Sequence, residues 1–70
     1  MDIKIPKYLQ DTLDKQKRLV AEYEKTKSVE SSIAVSFVWE EVYVDINHAL
    51  TNDAITEDEA RALRKKYLGI

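Results

Sequence analysis

The stretch from Ser32 to Leu50 constrains the fold of this chain more than any other segment, because as a helix it would carry two apolar faces. One broad apolar stripe would consist of Val35, Val38, Trp39, Val42, Ile46, Ala49 and Leu50. A narrower ridge, here called the outer strip, lies on the opposite side and consists of Ile33, Phe37 and Val44. One face can pack on the protein's own core, and the other then needs a second partner.

A β-hairpin is the alternative for the same stretch. β-branched and aromatic residues crowd residues 33–46 and favour strands, and the alternating apolar pattern shifts phase at Glu40-Glu41. Two glutamates make a poor two-residue turn, since the favoured turn types need positive φ and usually carry Asn or Gly. An isolated hairpin is also barely stable without helices packed on it. We therefore expect a helix and keep a hairpin over residues 33–48 as the alternative.

The composition favours a single helical domain over residues 1–70. One Gly and one Pro leave little material for β-turns. A chain of 70 residues buries only roughly 60% of its unfolded surface, so its stability should be marginal or borrowed from a partner. With no cysteine there is neither a disulfide nor a thiolate ligand, and one histidine is too few for the common zinc sites. We expect no metal and no cofactor.

The sequence also predicts a soluble, cytoplasmic protein. The first ten residues lack the apolar core of a signal peptide. No run approaches the roughly 20 apolar residues that span a bilayer. The absence of cysteine fits a reducing compartment.

Two further helices are predicted around the central stretch. The first should run from Pro6 to about Lys27, because proline suits the first turn of a helix. Ser32 is the predicted N-cap of the second helix, and Asn52 is expected to end it in the left-handed conformation. Ile3 and Ile5 should cover one end of the core, with a short strand as the alternative. The apolar side of the first helix consists of Tyr8, Leu9, Leu13, Leu19, Val20 and Tyr23.

The third helix has the clearest start signal in the chain. Thr56 and Glu59 match the reciprocal capping box, in which each side chain bonds to the backbone of the other residue. The helix should run from about Glu57 to Leu68 and stop at Gly69. Its expected buried side chains are Ala60, Leu63 and Tyr67. Together these features predict an all-α, small three-helix bundle.

The run INHALTNDAITEDEARALRKKYL, residues 46–68, resembles the short helical-hairpin modules whose second helix opens with an I-T-E-x-E signature. It covers the last third of the chain. The resemblance implies two helices joined by a short turn, and it implies no activity. In size and style the chain resembles small proteins encoded by bacterial phages and mobile elements.

Charge is strongly segregated along the sequence, although the net charge is only −2. Every Lys and Arg lies in residues 1–27 or 61–70. Residues 28–60 carry only acidic charges: Glu30, Glu40, Glu41, Asp45, Asp53, Glu57, Asp58 and Glu59. Either the basic outer helices complement the acidic middle within one fold, or the acidic centre meets a basic partner surface and steers its approach.

No arrangement in the sequence predicts catalysis. Asp45 lies one turn before His48, but no second histidine, serine or cysteine is tied to this pair by a motif. Glu40 and Glu41 diverge by about 100° on a helix and cannot face one cleft. A single glycine leaves no phosphate-binding glycine loop. We expect a protein that is not an enzyme.

The outer strip and its acidic rim are instead the predicted site. An apolar strip edged by charges is typical of helix-in-groove and helix-to-helix contacts. We expect a protein-binding module, such as a regulator or inhibitor of a host protein, and the alternative is a structural module that forms a homo-oligomer. The predicted contact residues are Ile33, Phe37, Glu40, Glu41, Val44 and Asp45.

A nucleic-acid-binding regulator is the second alternative. Its contact would be the basic cluster of the third helix, which consists of Arg61, Arg64, Lys65 and Lys66. The acidic net charge and the acidic middle of the chain argue against it. We therefore expect a protein partner or self-association as a homo-oligomer, with no nucleic acid and no membrane.

Overall fold

A computed structural model describes residues 4–70. Within that range the chain forms three helices and no strand: α1 (Lys7–Thr26), α2 (Val29–Thr51) and α3 (Glu57–Leu63). A π-helical turn, Arg64–Leu68, follows α3 directly. The predicted all-α three-helix bundle is confirmed, and the hairpin alternative is wrong because residues 33–48 lie entirely within α2.

The first helix agrees with its predicted bounds to within one residue at each end. Pro6 is the N-cap residue, so α1 begins at Lys7. Lys27 adopts a left-handed conformation, with φ at 51°, and its N–H donates to the Tyr23 carbonyl at 2.7 Å. This left-handed residue ends α1 and reverses the chain within two residues, so α1 and α2 form an antiparallel hairpin.

The second helix begins earlier than predicted. Ser28, and not Ser32, is its N-cap, and the Ser28 Oγ accepts a hydrogen bond from the Ser31 N–H at 3.1 Å. The reason is the tight link through Lys27, which leaves Ser28 extended and aligned to cap the next turn. Ser32 lies inside the helix, where its N–H bonds to the Ser28 carbonyl.

The end of α2 also differs from its prediction by one residue. Asn52 has φ at −88° and is not left-handed, whereas Asp53 has φ at 59°. Asn52 continues the helical hydrogen bonding through its N–H to the His48 carbonyl at 3.0 Å. The left-handed step therefore falls on Asp53, after which the Ala54 N–H reaches back to the Ala49 carbonyl at 2.9 Å.

The predicted capping box opens α3. The Thr56 N–H donates to the Glu59 carboxylate at 2.8 Å, and the Glu59 N–H donates to the Thr56 hydroxyl at 3.1 Å. Gly69, with φ at 71°, ends the helical segment as expected. The predicted third helix thus comprises α3 and the π-helical turn together.

The π-helical turn buries a different residue from the one predicted. Leu68 is buried, whereas Tyr67 is only half-buried. A regular α-helix would place residue 67 beneath Leu63, but the wider π turn, with its i→i+5 bonding, places residue 68 there. Backbone carbonyls of the turn bind both other helices: the Gln16 amide donates to Tyr67 at 3.0 Å, and the Trp39 indole donates to Leu68 at 3.4 Å.

One apolar core lies where the three helices meet. Half-buried Ile5, Trp39, Leu50 and Tyr67 pack around it. The predicted position of Ile5 is confirmed, whereas Ile3 lies outside the described residues. The buried cluster consists of Leu9, Leu13, Val42, Ile46, Ala49, Ile55, Ala60, Leu63 and Leu68.

The predicted apolar side of α1 is only partly buried. Leu9 and Leu13 are in the core, but Leu19, Val20 and Tyr23 are half-buried and Tyr8 is exposed. The buried side chains that α3 and its π turn provide meet α1 near Leu9, Leu13 and Gln16, so the second half of α1 lies outside the main core. No helix within residues 4–70 has both the length and the apolar content needed to cross a membrane.

Replacing Ile46 with Ala tests this packing against a matched control on the same helix. Ile46 is fully buried, and Ile33 is half-exposed. We expect Ile46→Ala to lower the free energy of unfolding by about 2–4 kcal/mol through a cavity in the core. Ile33→Ala should change it by less than about 0.5 kcal/mol. Urea denaturation followed by circular dichroism measures both, and equal effects would contradict the assigned rotation of α2.

Candidate protein-binding surface

The outer strip is exposed along α2. The exposed fractions are 50% for Ile33, 72% for Phe37 and 60% for Val44. Val29, which is also exposed, continues the strip by one turn toward the N-terminus of the helix. On the opposite face of α2, at most 1% of each residue is exposed to solvent at Val38, Val42, Ile46 and Ala49. Neither α1 nor α3 therefore covers the strip.

Contacts on the two flanks of α2 fix this orientation. On one flank, Glu41 and Asp45 bind side chains of α1. On the other flank, Tyr43 and Asn47 contact Arg64 of the π-helical turn. The outer strip runs between these flanks on the side that faces away from the core.

Two residues of the predicted acidic rim already have partners within the protein. The Lys15 ammonium lies 3.3 Å from both carboxylate oxygens of Glu41. The Thr12 hydroxyl donates to Asp45 Oδ2 at 2.6 Å. The Lys15–Glu41 pair agrees with the first interpretation of the charge segregation, in which a basic residue of α1 complements the acidic α2.

Glu40 differs from both of them. Within residues 4–70, no side chain forms an ion pair with its carboxylate. Its neighbours one turn away on the helix surface are uncharged: Ser36, Phe37, Tyr43 and Val44. Glu40 is therefore an exposed carboxylate set against an apolar strip, and it is the member of the predicted rim that is available to a partner.

The opposite flank holds a cluster that the sequence did not indicate. The rings of Trp39 and Tyr43 stack in parallel, with centroids 5.9 Å apart. The Arg64 guanidinium lies 5.9 Å from the Tyr43 ring and donates to the Asn47 side chain. The i,i+4 spacing of Trp39 and Tyr43 is a usable signal for their stacking, but the place of Arg64 depends on the π-helical turn.

The basic cluster predicted for nucleic acid is partly committed to contacts within the protein. Arg64 binds α2, Arg61 lies 3.8 Å from Asp58, and the Lys66 ammonium lies 5.3 Å from the Tyr67 ring. Lys65 is exposed. Three of the four side chains therefore already have contacts within the protein, and nucleic-acid binding stays a prediction.

His48 and Asp45 do not form a proton-transfer pair. Asp45 accepts its hydrogen bond from Thr12, and the His48 ring packs edge-on against Tyr8 with centroids 6.0 Å apart. In the part of the chain that the structure describes, no group of three or more His, Asp or Glu side chains is placed to hold a metal ion.

Removing the Asn47 side chain tests the contact that joins the π-helical turn to α2. The Nε of Arg64 is buried and already lacks a partner within residues 4–70, so Asn47→Ala leaves the guanidinium still less satisfied. We expect a loss of about 1 kcal/mol in the free energy of unfolding. Asn52→Ala, at an exposed asparagine, should change it by less than about 0.5 kcal/mol. Urea denaturation followed by Trp39 fluorescence compares them, and an Asn47→Ala variant as stable as wild type would refute this role.

We compared the chain with protein-family models, with curated protein sequences and with solved structures. None of the three comparisons found a match.

Proposed function

We propose that this chain is a small, non-enzymatic protein-binding module that contacts its partner through the outer strip and Glu40. The observation that carries the proposal is the exposure of Phe37, at 72%, on a helix whose opposite face is fully buried. Exposed apolar side chains along one face of a helix, edged by polar ones, are the arrangement found in helix-in-groove contacts.

The energetics of the outer strip support a contact of modest strength. Full burial of a large apolar side chain stabilises a complex by about 1.5–3 kcal/mol, before the loss of rotational and translational freedom is counted. Phe37 lies between Ile33 and Val44 along the helix, which suits an aromatic anchor surrounded by smaller contacts. A regulator or inhibitor that binds reversibly to a host protein is consistent with a surface of this size.

Self-association is the second candidate. The same exposed strip could pack on another copy of the chain and supply stability that a 70-residue domain lacks. Both candidates require the outer strip, and they differ in what lies opposite Glu40.

Phe37→Asp tests the proposed function, with Ile70→Asp as the matched control. Both side chains are exposed and apolar, but Ile70 lies outside the outer strip. Tagged wild-type protein should retain a discrete partner from a lysate of the cells in which the protein naturally occurs. Untagged wild type and untagged Ile70→Asp should each displace that partner from the tagged protein. Phe37→Asp should lose at least tenfold in competition, because a charge at the centre of an apolar contact is desolvated without a partner.

Circular dichroism of Phe37→Asp serves as the folding control, since an exposed position should tolerate the change. Competition by folded Phe37→Asp equal to that of wild type would refute the role of the outer strip.

A further inference from the structure

Glu40 restricts what can cover the outer strip. Its carboxylate lies one turn from both Phe37 and Val44, so a partner that buries those two side chains also removes water from Glu40. A carboxylate that leaves water is destabilising unless a cation or several hydrogen-bond donors replace the solvent.

Within residues 4–70, no Lys or Arg side chain forms an ion pair with Glu40. Residues 28–60 contain no Lys or Arg. On the flanks of α2, Lys15 pairs with Glu41, and Arg64 is held by Asn47 and Tyr43. The compensating charge must therefore come from the molecule that binds.

A second copy of the chain cannot supply that charge in a symmetric α2-to-α2 contact. An antiparallel pairing that covers the strip evenly from Ile33 to Val44 has its axis near residues 38 and 39. It then brings the two Glu40 residues within about 4.5 Å of each other along the helix axis, given a rise of 1.5 Å per residue. A parallel pairing sets the same two carboxylates at one level but on opposite edges of the strip, where α2 of the second copy offers no Lys or Arg either. The antiparallel arrangement is opposed by like charges that approach while losing water, and in the parallel one each Glu40 loses water without gaining a cation.

We infer that the outer strip is covered by a helix of a different protein, and that this helix presents an Arg or Lys, flanked by apolar side chains, to Glu40. The inference rests on the proposed function and adds the chemistry of the partner. Apolar residues one turn before and one turn after the basic residue would meet Phe37 and Val44. Arginine suits the position well, because its guanidinium binds a carboxylate through two parallel hydrogen bonds and loses hydration readily.

The chain itself provides a probe for this chemistry. Glu40→Lys turns the outer strip into a helix face with a basic residue between Phe37 and Val44, which is the surface we assign to the partner. Sedimentation equilibrium should then be run on wild type, on Glu40→Lys and on their equimolar mixture. Glu40→Leu serves as a fourth sample in which the charge is absent.

We expect wild type and Glu40→Lys each to remain monomeric and the mixture to form a heterodimer, with an association at least roughly tenfold tighter than that of either protein alone. Glu40→Leu should form a homodimer, since the repulsion is removed. Raising the salt concentration should weaken the heterodimer but not the Glu40→Leu homodimer. Phe37→Asp introduced into either component should abolish both complexes.

A matched control separates this effect from general attraction between unlike charges. Asp14→Lys makes the same change in net charge at an exposed position on α1, and its mixture with wild type should stay monomeric. Association of that mixture as tight as that of the Glu40→Lys mixture would overturn the inference.

Two further results would also overturn it. The first is a wild-type homodimer that is as tight as the mixed complex and that Phe37→Asp abolishes. In that case the strip would still bind protein, but its occupant would be a second copy of the chain. The other is the absence of association in the Glu40→Lys mixture at about 1 mM protein, the weak end of specific binding. The proposed function fails separately, if Phe37→Asp competes for the cellular partner as well as wild type does.

Discussion

Burial of one stripe of α2 determines the rest of this structure. Val38, Val42, Ile46 and Ala49 are almost completely inaccessible to solvent, and the last three pack where α1 and α3 meet. A helix is a rigid rod at this length, so fixing one face fixes the direction of every other side chain on it. The exposure of Ile33, Phe37 and Val44 is thus a consequence of core packing.

The contacts of α1 and the π-helical turn then define the character of the exposed surface. Lys15 and Thr12 engage Glu41 and Asp45, which removes two carboxylates from the predicted rim. Arg64 is drawn to the other flank of α2. What remains between the flanks is an apolar strip with Glu40 at its edge, a carboxylate that forms no ion pair within residues 4–70. This combination underlies the proposal of a basic, amphipathic partner.

The sequence predicts those features that depend on residues close together in the chain. It misses those that depend on how the helices pack against one another. The capping box of Thr56 and Glu59 is local chemistry, and the two faces of α2 follow from helical periodicity, so both could be foreseen. Leu68 replaces Tyr67 in the core because the helix ends in a π turn. No residue pattern in the sequence predicted that turn. The engagement of Glu41 and Asp45 requires the register of α1 against α2, which a single sequence does not contain.

Thiol labelling tests the central claim most directly, because the chain has no cysteine of its own. Four single-cysteine variants report the two faces of α2 under native conditions. The cysteine replaces Phe37 or Val44 on the exposed face, and Val38 or Val42 on the buried face. The account predicts that the first two react with a thiol reagent about as fast as an unfolded peptide, and that the second two are slowed at least roughly a hundredfold by the need for unfolding. Similar rates at all four positions, or protection at Phe37 and Val44, would contradict it.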